Sequence, residues 1–433
     1  MQALRLCAAQ TPVFKNIYEG DFMATEHLLH DKLEQTSNPV APLALIVLPS
    51  AEKLGEKINN WIRYFRLGDH NEHRDDPTYE GYYEQDYRLP VVLPRFSTGE
   101  GKAVLQDSTR GKDIYILVDI TNYSITYEMN GFTNHMSPDD HFQDLKRVIA
   151  AINGKAHRIN VIMPFLYEGR QHKRSGRESL DAAIMYKELC DLGIKNFITF
   201  DAHDPRIQNV NPLVDFNNFT SPYQFLKSLM RSVPNLIVDK EHIVVISPDE
   251  GALDRTVYFA NVIGADTGMF YKRRDYSTIV NGKNPIVEHR FLGTDLDGKD
   301  AIIIDDMISS GGSILDTSRQ LKENMHARRV FLCTTFGLFT DGLEVFDKAY
   351  EKGYFDKLVT TNLTYQPPEL AGRVWFEPAD MSKFTAMIID FINHDIGISN
   401  MSTSTDKIHG ILEKINRNEQ SEFEQMQFDQ TEF

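Results

Sequence analysis

The sequence predicts an α/β fold built on mainly parallel sheets, and two observations carry that expectation. Short apolar runs alternate with longer amphipathic stretches through most of the chain, the pattern of successive βαβ units. Several of the runs also pass straight into polar, glycine-bearing turns, as strands of an open α/β sheet do where their carboxyl ends meet a ligand.

In chain order, the runs expected as strands are Leu43 to Leu48, Ile114 to Val118, Ile159 to Met163, Phe197 to Phe200, Ile243 to Ile246, Thr267 to Phe270, Ala301 to Ile304, Val330 to Thr334 and Leu358 to Thr361. Helices are expected over Asp140 to Ile152 and Ser179 to Leu192, each stopped by a glycine just beyond, Gly154 and Gly193. Ser137-Pro138-Asp139-Asp140 starts the first of these: serine as N-cap, proline at the first position, acids in the first turn. That start accounts for the acids among His135, Asp139, Asp140 and His141 better than a metal site does. Residues 67 to 88 are polar and rich in Tyr, His and acids without a period, and read as a long loop or insertion. Beyond about residue 396 the chain turns polar, with one helix candidate, Lys407 to Ile415, before an acidic tail expected to stay mobile.

The chain has 433 residues and a formal net charge of −16. An acidic balance argues against nucleic acid as the main partner, since phosphate backbones are bound by excess basic side chains. At roughly 100 to 200 residues per domain, two or three domains are expected. No apolar run approaches the ~18 residues of a membrane span. The start, with Arg5, Gln10 and Pro12, forms no apolar secretory core. Cys7, Cys190 and Cys333 lack CxxC spacing, which excludes a cysteine zinc site and a disulfide framework and makes a reducing, cytoplasmic setting the expectation.

The strongest chemical signal is Ala301 to Ser313, AIIIDDMISSGGS, followed by an amphipathic stretch from Ile314 to Leu321. A buried strand delivers two carboxylates, and a Ser/Gly loop then leads into a helix whose free N–H groups can hold an anion. This points to a phosphate on Ser310 to Ser313, with Asp305 and Asp306 facing ribose hydroxyls or magnesium. The turns Asp201 to Asp204 and Ser247 to Gly251 are the other places where strands run into polar groups.

These residues resemble the PRPP loop of type I phosphoribosyltransferases and, more closely, the ribose-phosphate pyrophosphokinases. Further motifs follow the same order. Phe96 to Glu100, with Arg110 to Ile116, is similar to that family's ATP-adenine segment, and Pro164 to Arg174 to its Arg-Gln ATP loop. Thr199 to His203 with Ile207-Gln208 matches its Asp-x-His…Ile-Gln, Ser247 to Ala252 its pyrophosphate-side turn, and Lys272-Arg273-Arg274 its mobile catalytic loop, here flanked by Gly268 and Asn284.

The resemblance implies two phosphoribosyltransferase-like domains. Residues 43–220 would form the first, with an insertion at 67–88 and a returning helix at 381–395. Residues 221–380 would form the second, with the PRPP/ribose 5-phosphate loop; 1–42 would be an extension and 396–433 a polar, acidic tail. It implies transfer of the diphosphoryl group of Mg-ATP to O1 of ribose 5-phosphate, giving PRPP and AMP. Lys272, Arg274 and His203 would be catalytic, and Phe96, Thr98, Glu100, Arg170 and Gln171 would bind ATP. Asp305, Asp306, Ser309, Ser310, Gly311, Gly312, Ser313 and Gln208 would bind ribose 5-phosphate, and His203, Asp249 and Asp201 would serve Mg²⁺. A homo-oligomer, a hexamer or dimers, with phosphate and ADP as regulators, completes the implication.

Thr98 stands where the family has Asp or Asn, and Ser309 replaces an acid just before the loop. The ATP loop lacks the family's acids after Arg170-Gln171. These departures keep two alternatives open: a diphosphokinase for another 5-phosphorylated pentose, and a catalytically silent nucleotide-binding homologue. Despite the net charge, basic residues gather in two short motifs, Arg170 to Arg177 and Lys272 to Arg274, both suited to polyphosphate.

Overall fold

The computed structural model describes residues 38–72, 82–274, 286–401 and 405–416. The first half runs β1 (Leu43–Val47), α1 (Glu52–Glu72), β2 (Val91–Val92), β3 (Val104–Leu105), β4 (Asp113–Leu117), β5 (Thr126–Met129), β6 (Phe132–His135), α2 (Pro138–Ile152), β7 (Arg158–Ile162), α3 (Asp181–Asp191), β8 (Asn196–Phe200) and β9 (Asp215–Phe219). The second runs α4 (Pro222–Ser232), β10 (Ile243–Ser247), α5 (Leu253–Ile263), β11 (Asp266–Arg274), β12 (Ile286–Gly293), β13 (Asp300–Ile308), α6 (Gly312–Glu323), β14 (Arg329–Gly337), α7 (Glu344–Glu351), β15 (Lys357–Thr361) and β16 (Phe376–Ala379). Helices α8 (Ser382–Asn393) and α9 (Thr405–Asn416) close the described chain.

The first sheet has the order β1-β4-β7-β8-β9 and is parallel throughout. Successive side chains of a strand point to opposite faces, and β1 shows it: Ala44 and Ile46 pack with Leu145 and Val148 of α2 and Met185 and Leu189 of α3. Leu43 and Leu45 face the other way, onto Leu54, Ile58 and Ile62 of α1 and Ile388, Ile389 and Ile392 of α8. One face of the first sheet is thus covered by a helix from the far end of the chain. The second sheet has the order β12-β11-β10-β13-β14-β15-β16, parallel except for the antiparallel β11–β12 pair. Helices α6 and α7 cover one face and α4, α5 and α9 the other.

The helix start at Ser137 is a capping box: the Ser137 hydroxyl accepts from the Asp140 N–H at 3.2 Å, and the Asp140 carboxylate accepts from the Ser137 N–H at 3.0 Å. His141 is buried with Nε2 2.9 Å from the Asn122 carbonyl, and His135 Nδ1 lies 2.7 Å from the Tyr123 carbonyl. These residues serve structure.

Three sequence expectations need correction. The loop expected over 67–88 begins later, because α1 continues to Glu72; residues 73–81 lie outside the described set. The polar stretch expected from 396 is packed at its start: Ile396 and Met401 join the first core, and Ile408 and Ile411 of α9 join the second. Its acidic end, residues 417–433, lies outside the described residues, as do 1–37. Third, β13 is longer than its apolar run, so Asp305 and Asp306 sit within the strand, with Asp305 opposite Thr334 of β14, rather than in the turn after it.

Asp119, just past β4, joins the halves. It is 2% exposed; one oxygen accepts from the Tyr365 N–H at 2.6 Å and the other from the Thr121 N–H at 2.8 Å and hydroxyl at 2.7 Å. Burial outweighs these bonds and pushes its carboxyl up to about 6. The folded state therefore keeps a proton between pH ~4 and 6 that the unfolded chain, with a carboxyl near ~3.9, has lost. This contribution to stability is complete below about pH 4 and disappears as pH rises through 6. Urea melts at pH 4.5 to 6.5 check it: the stability of the wild type relative to Asp119→Asn should fall with rising pH, by on the order of 2 kcal/mol over that range.

Candidate active site

The carboxyl ends of β8 in the first sheet and of β10, β13 and β14 in the second bring their polar groups together. Asp201, at the end of β8, has φ 37°, a left-handed conformation that a non-glycine residue holds only under outside constraint. Its carboxylate accepts from the Thr335 hydroxyl on β14. Two residues on, His203 Nδ1 lies 2.7 Å from Asp306 Oδ2 on β13. The Arg255 guanidinium, from the first turn of α5, lies 3.6 Å from the other oxygen of Asp306. Asp249 follows β10, and its carboxylate accepts from the Gly251 N–H at 2.9 Å, starting a tight helical turn.

The charges of four carboxylates, Asp306, Asp201, Asp305 and Asp249, act on Arg255 and hold its guanidinium protonated against the cost of burial. Burial, the Asp306 charge and Asp249 raise Asp305 well above the ordinary carboxylate range, only partly countered by Arg255. Burial would raise Asp306 too, but the His203 hydrogen bond and the Arg255 charge outweigh it and hold Asp306 low. Two adjacent acids of one strand are thus driven apart, the pattern of groups with different tasks.

The Ser309–Ser313 loop leads from β13 into α6. Gly311 caps the helix at φ 90°, and a Cβ there would come within 2.3 Å of the buried Phe346 ring, so glycine is required twice over. Helix α6 opens at Gly312 with Ser313 next, both exposed, where the first N–H groups of a helix favour an anion. The Thr340 N–H donates to the Ser309 carbonyl at 3.0 Å and fixes the loop's approach.

After β7, Arg170 is exposed, and the Gln171 amide donates to the Ser179 carbonyl at 3.0 Å. His172, which the sequence reading passed over, lies 3.3 Å through Nε2 from Asp204, and its ring is 5.4 Å from that of His203. The Arg170–His172 loop is therefore tied to the histidine at the end of β8. Asp204 is held down to about 2, because its hydrogen bonds from Arg206 exceed the opposing burial. Gln208 is exposed on the short helical turn Pro205–Val210. A cavity of about 590 Å³ beside Arg170 lies between the halves, lined by Thr121, Tyr123, Tyr167, Glu168, Phe339 and Thr340 among others.

Two expected groups are placed differently. Phe96, Thr98 and Glu100 form a tight loop, closed by the Phe96 N–H donating to the Glu100 carbonyl at 2.7 Å, and it rests on the β5–β6 hairpin. There the Asn130 N–H donates to the Ser97 carbonyl at 3.1 Å and Met129 packs on Gly99. Phe96 is 54% exposed, and the Thr98 hydroxyl donates to Glu100 at 2.9 Å. Lys272, Arg273 and Arg274, expected on a loop, continue β11 and pair with β12, Lys272 opposite His289; their side chains, and residues 275–285, lie outside the described set.

Arg255 and Thr335 were also missed from sequence. Arg255 had a signal: a cation in the first turn of a helix opposes the helix dipole unless acids lie close by. Thr335, inside an apolar strand, had none.

Among the described residues, no three His, Cys, Asp or Glu side chains gather closely enough to hold a metal unaided. No described helix is long and apolar enough to cross a membrane. Residues 44–193 match a family model described as the N-terminal domain of ribose phosphate pyrophosphokinase, and residues 224–368 one described as a phosphoribosyl transferase domain. A ribose-phosphate pyrophosphokinase of Corynebacterium efficiens is 31% identical over 256 residues, 58% of this chain and 70% of that protein. One of Vibrio cholerae is 26% identical over 315 residues, 72% of this chain and 90% of that protein. In fold, the chain is similar to phosphoribosylpyrophosphate synthetase from Mycobacterium smegmatis, with a TM-score of 0.62 and 20% identity over 82% of this chain and 99% of that one.

Proposed function

The chain belongs to the ribose-phosphate pyrophosphokinase family, and from that premise we propose that it moves the β,γ-diphosphoryl group of Mg-ATP to O1 of ribose 5-phosphate, releasing PRPP and AMP. The observation that carries this reading is the meeting of His203, from the nucleotide-side sheet, with Asp306, from the strand that feeds the Ser/Gly loop. This meeting of the two sheets supports a single site for both substrates.

In this reading the N–H groups and hydroxyls of Ser310 to Ser313 hold the 5-phosphate, and Asp305 receives ribose hydroxyls. Arg170 meets the ATP phosphates. Lys272 and Arg274 close over the β- and γ-phosphates, where an in-line transfer needs alignment and charge neutralisation rather than covalent help. Magnesium arrives with ATP as part of the substrate. That suits a donor set of His203, Asp249 and Asp201 in place of a closed protein cage, because Mg²⁺ keeps several waters and binds phosphate oxygens with few protein ligands. The exposed Phe96 ring offers a stacking face for adenine, with Glu100 as acceptor, and in a homo-oligomer this loop would serve the site of a neighbouring subunit. We assign the protein to the cytoplasm and the two sheets to two phosphoribosyltransferase-like domains.

An AMP-release assay across several sugar phosphates tests the reading. AMP formation from ATP, Mg²⁺ and ribose 5-phosphate is expected. Turnover only with another phosphorylated pentose would reassign the acceptor, and ATP binding without any turnover would leave a silent homologue.

A further inference from the structure

Asp305 and Asp306 read as a matched pair in sequence, but a strand sends adjacent side chains to opposite faces. Along β13, Ala301 and Ile303 pack on the face covered by α6 and α7, while Ile302 and Ile304 pack on the face covered by α4 and α5. Parity starts Asp305 on the α6 face, from which its carboxylate turns back to accept from the Asp306 N–H at 2.9 Å, and Asp306 on the α5 face, which carries Arg255. The contacts agree: both Asp306 oxygens are engaged, Oδ2 by His203 Nδ1 at 2.7 Å and Oδ1 by Arg255 at 3.6 Å, and its side chain is 6% exposed. Arg255 Nη1 makes no hydrogen bond and faces this acid cluster from a buried position.

We infer that Asp306 is not a sugar ligand but a positioning residue, with the Arg255 charge beside it, that orients His203 toward the diphosphoryl group. The inference rests on the proposed reaction and divides its acid pair into two tasks. A carboxylate oxygen accepts, so the 2.7 Å contact with Asp306 puts a proton on His203 Nδ1 and leaves Nε2 as the other ring nitrogen for a ligand. A carboxylate behind a histidine is the usual way to set the ring orientation and tautomer of a metal-facing imidazole. Arg255, 3.6 Å from the other oxygen, supplies the countercharge beside the buried carboxylate. The bond also spans the two sheets, so the orientation of His203 depends on the sugar-side strand being in place.

The test uses the full chain with Asp306→Asn, Asp305→Asn, Arg255→Lys and Arg255→Met. Asp306→Asn should lower kcat by about 100-fold with KM for ribose 5-phosphate within about 3-fold, whereas Asp305→Asn should raise that KM by about 10-fold or more. Arg255→Met should behave as Asp306→Asn, the double variant should be little worse than either, and Arg255→Lys should recover part of the loss. A second readout needs no turnover: ¹⁵N NMR of the free enzyme at pH 8 should show His203 protonated on Nδ1, and a mixed tautomer in Asp306→Asn and in Arg255→Met. A rise in sugar KM with kcat unchanged in Asp306→Asn, or a His203 tautomer indifferent to both substitutions, overturns the inference. A wild type that turns over no sugar phosphate defeats the proposed reaction instead, and the tautomer measurement still decides this point.

Discussion

Replacing Lys272 by alanine is expected to lower kcat by roughly 100- to 1,000-fold while KM for ATP stays within a few-fold. A cation placed on the transferring diphosphoryl group meets its largest charge in the transition state, and removing one such donor typically costs that much. In the proposed ground-state complex ATP would keep its contact with Arg170 and its stacking face on Phe96, so its binding would change little. Lys272 lies two residues before the end of the paired stretch of β11, which reaches Arg274 and is followed by residues 275–285. Its partner strand therefore fixes where its backbone points. Steady-state kinetics at saturating ribose 5-phosphate decide the matter: a raised KM with kcat intact would remove the catalytic role.

The largest effect on stability is expected far from the chemistry, at Arg66→Ala. Arg66 on α1 is 1% exposed; it donates to Asp390 at 2.9 Å and to Asn393 at 2.6 Å, both on α8, and its guanidinium lies 4.7 Å from the Tyr82 ring centre. Its removal leaves Asp390 buried and uncompensated, and breaking a buried pair from one side costs about 3 to 5 kcal/mol. Denaturant unfolding should show that loss as a lower midpoint. The double change Arg66→Met with Asp390→Leu should recover most of it, since a buried pair replaced by apolar side chains is often neutral. A double variant as unstable as the single would mean that packing against Tyr82 and Tyr87, not charge, sets the value of Arg66.

The strands that could be read in sequence were those covered on both faces, because their apolar runs are continuous. Edge strand β9, Asp-Phe-Asn-Asn-Phe, could not: only its Phe219 end is fully buried, and its polar members face partly outward. Strand β13 was read short for a related reason. Its last residues are held by pairing with β14, not by apolar burial, so periodicity stops at Ile304 although the ladder continues to Ile308. In the site, residue types and order pointed to the Ser/Gly loop, His203 and Asp249. The division of labour between Asp305 and Asp306 was not visible, since it depends on strand parity at positions assigned to a turn. His172, Thr335 and Arg255 act through partners more than 30 residues away or on another element, and no local pattern announces such contacts.

Helix α8 is the lid on one face of the first sheet, and that fact governs how the protein can be made. On the ribosome the strands of that sheet emerge long before residues 382–393, so Leu43, Leu45, Tyr115 and Leu117 have no complete cover until α8 has emerged. Folding that usually proceeds from the amino end first must here wait for α8. A ribosome stalled before α8 would hold a nascent chain with an open apolar sheet, a substrate for chaperones. Separate expression of the two halves divided near residue 220 would leave the first one insoluble, and adding α8 back through a linker would be the shortest remedy.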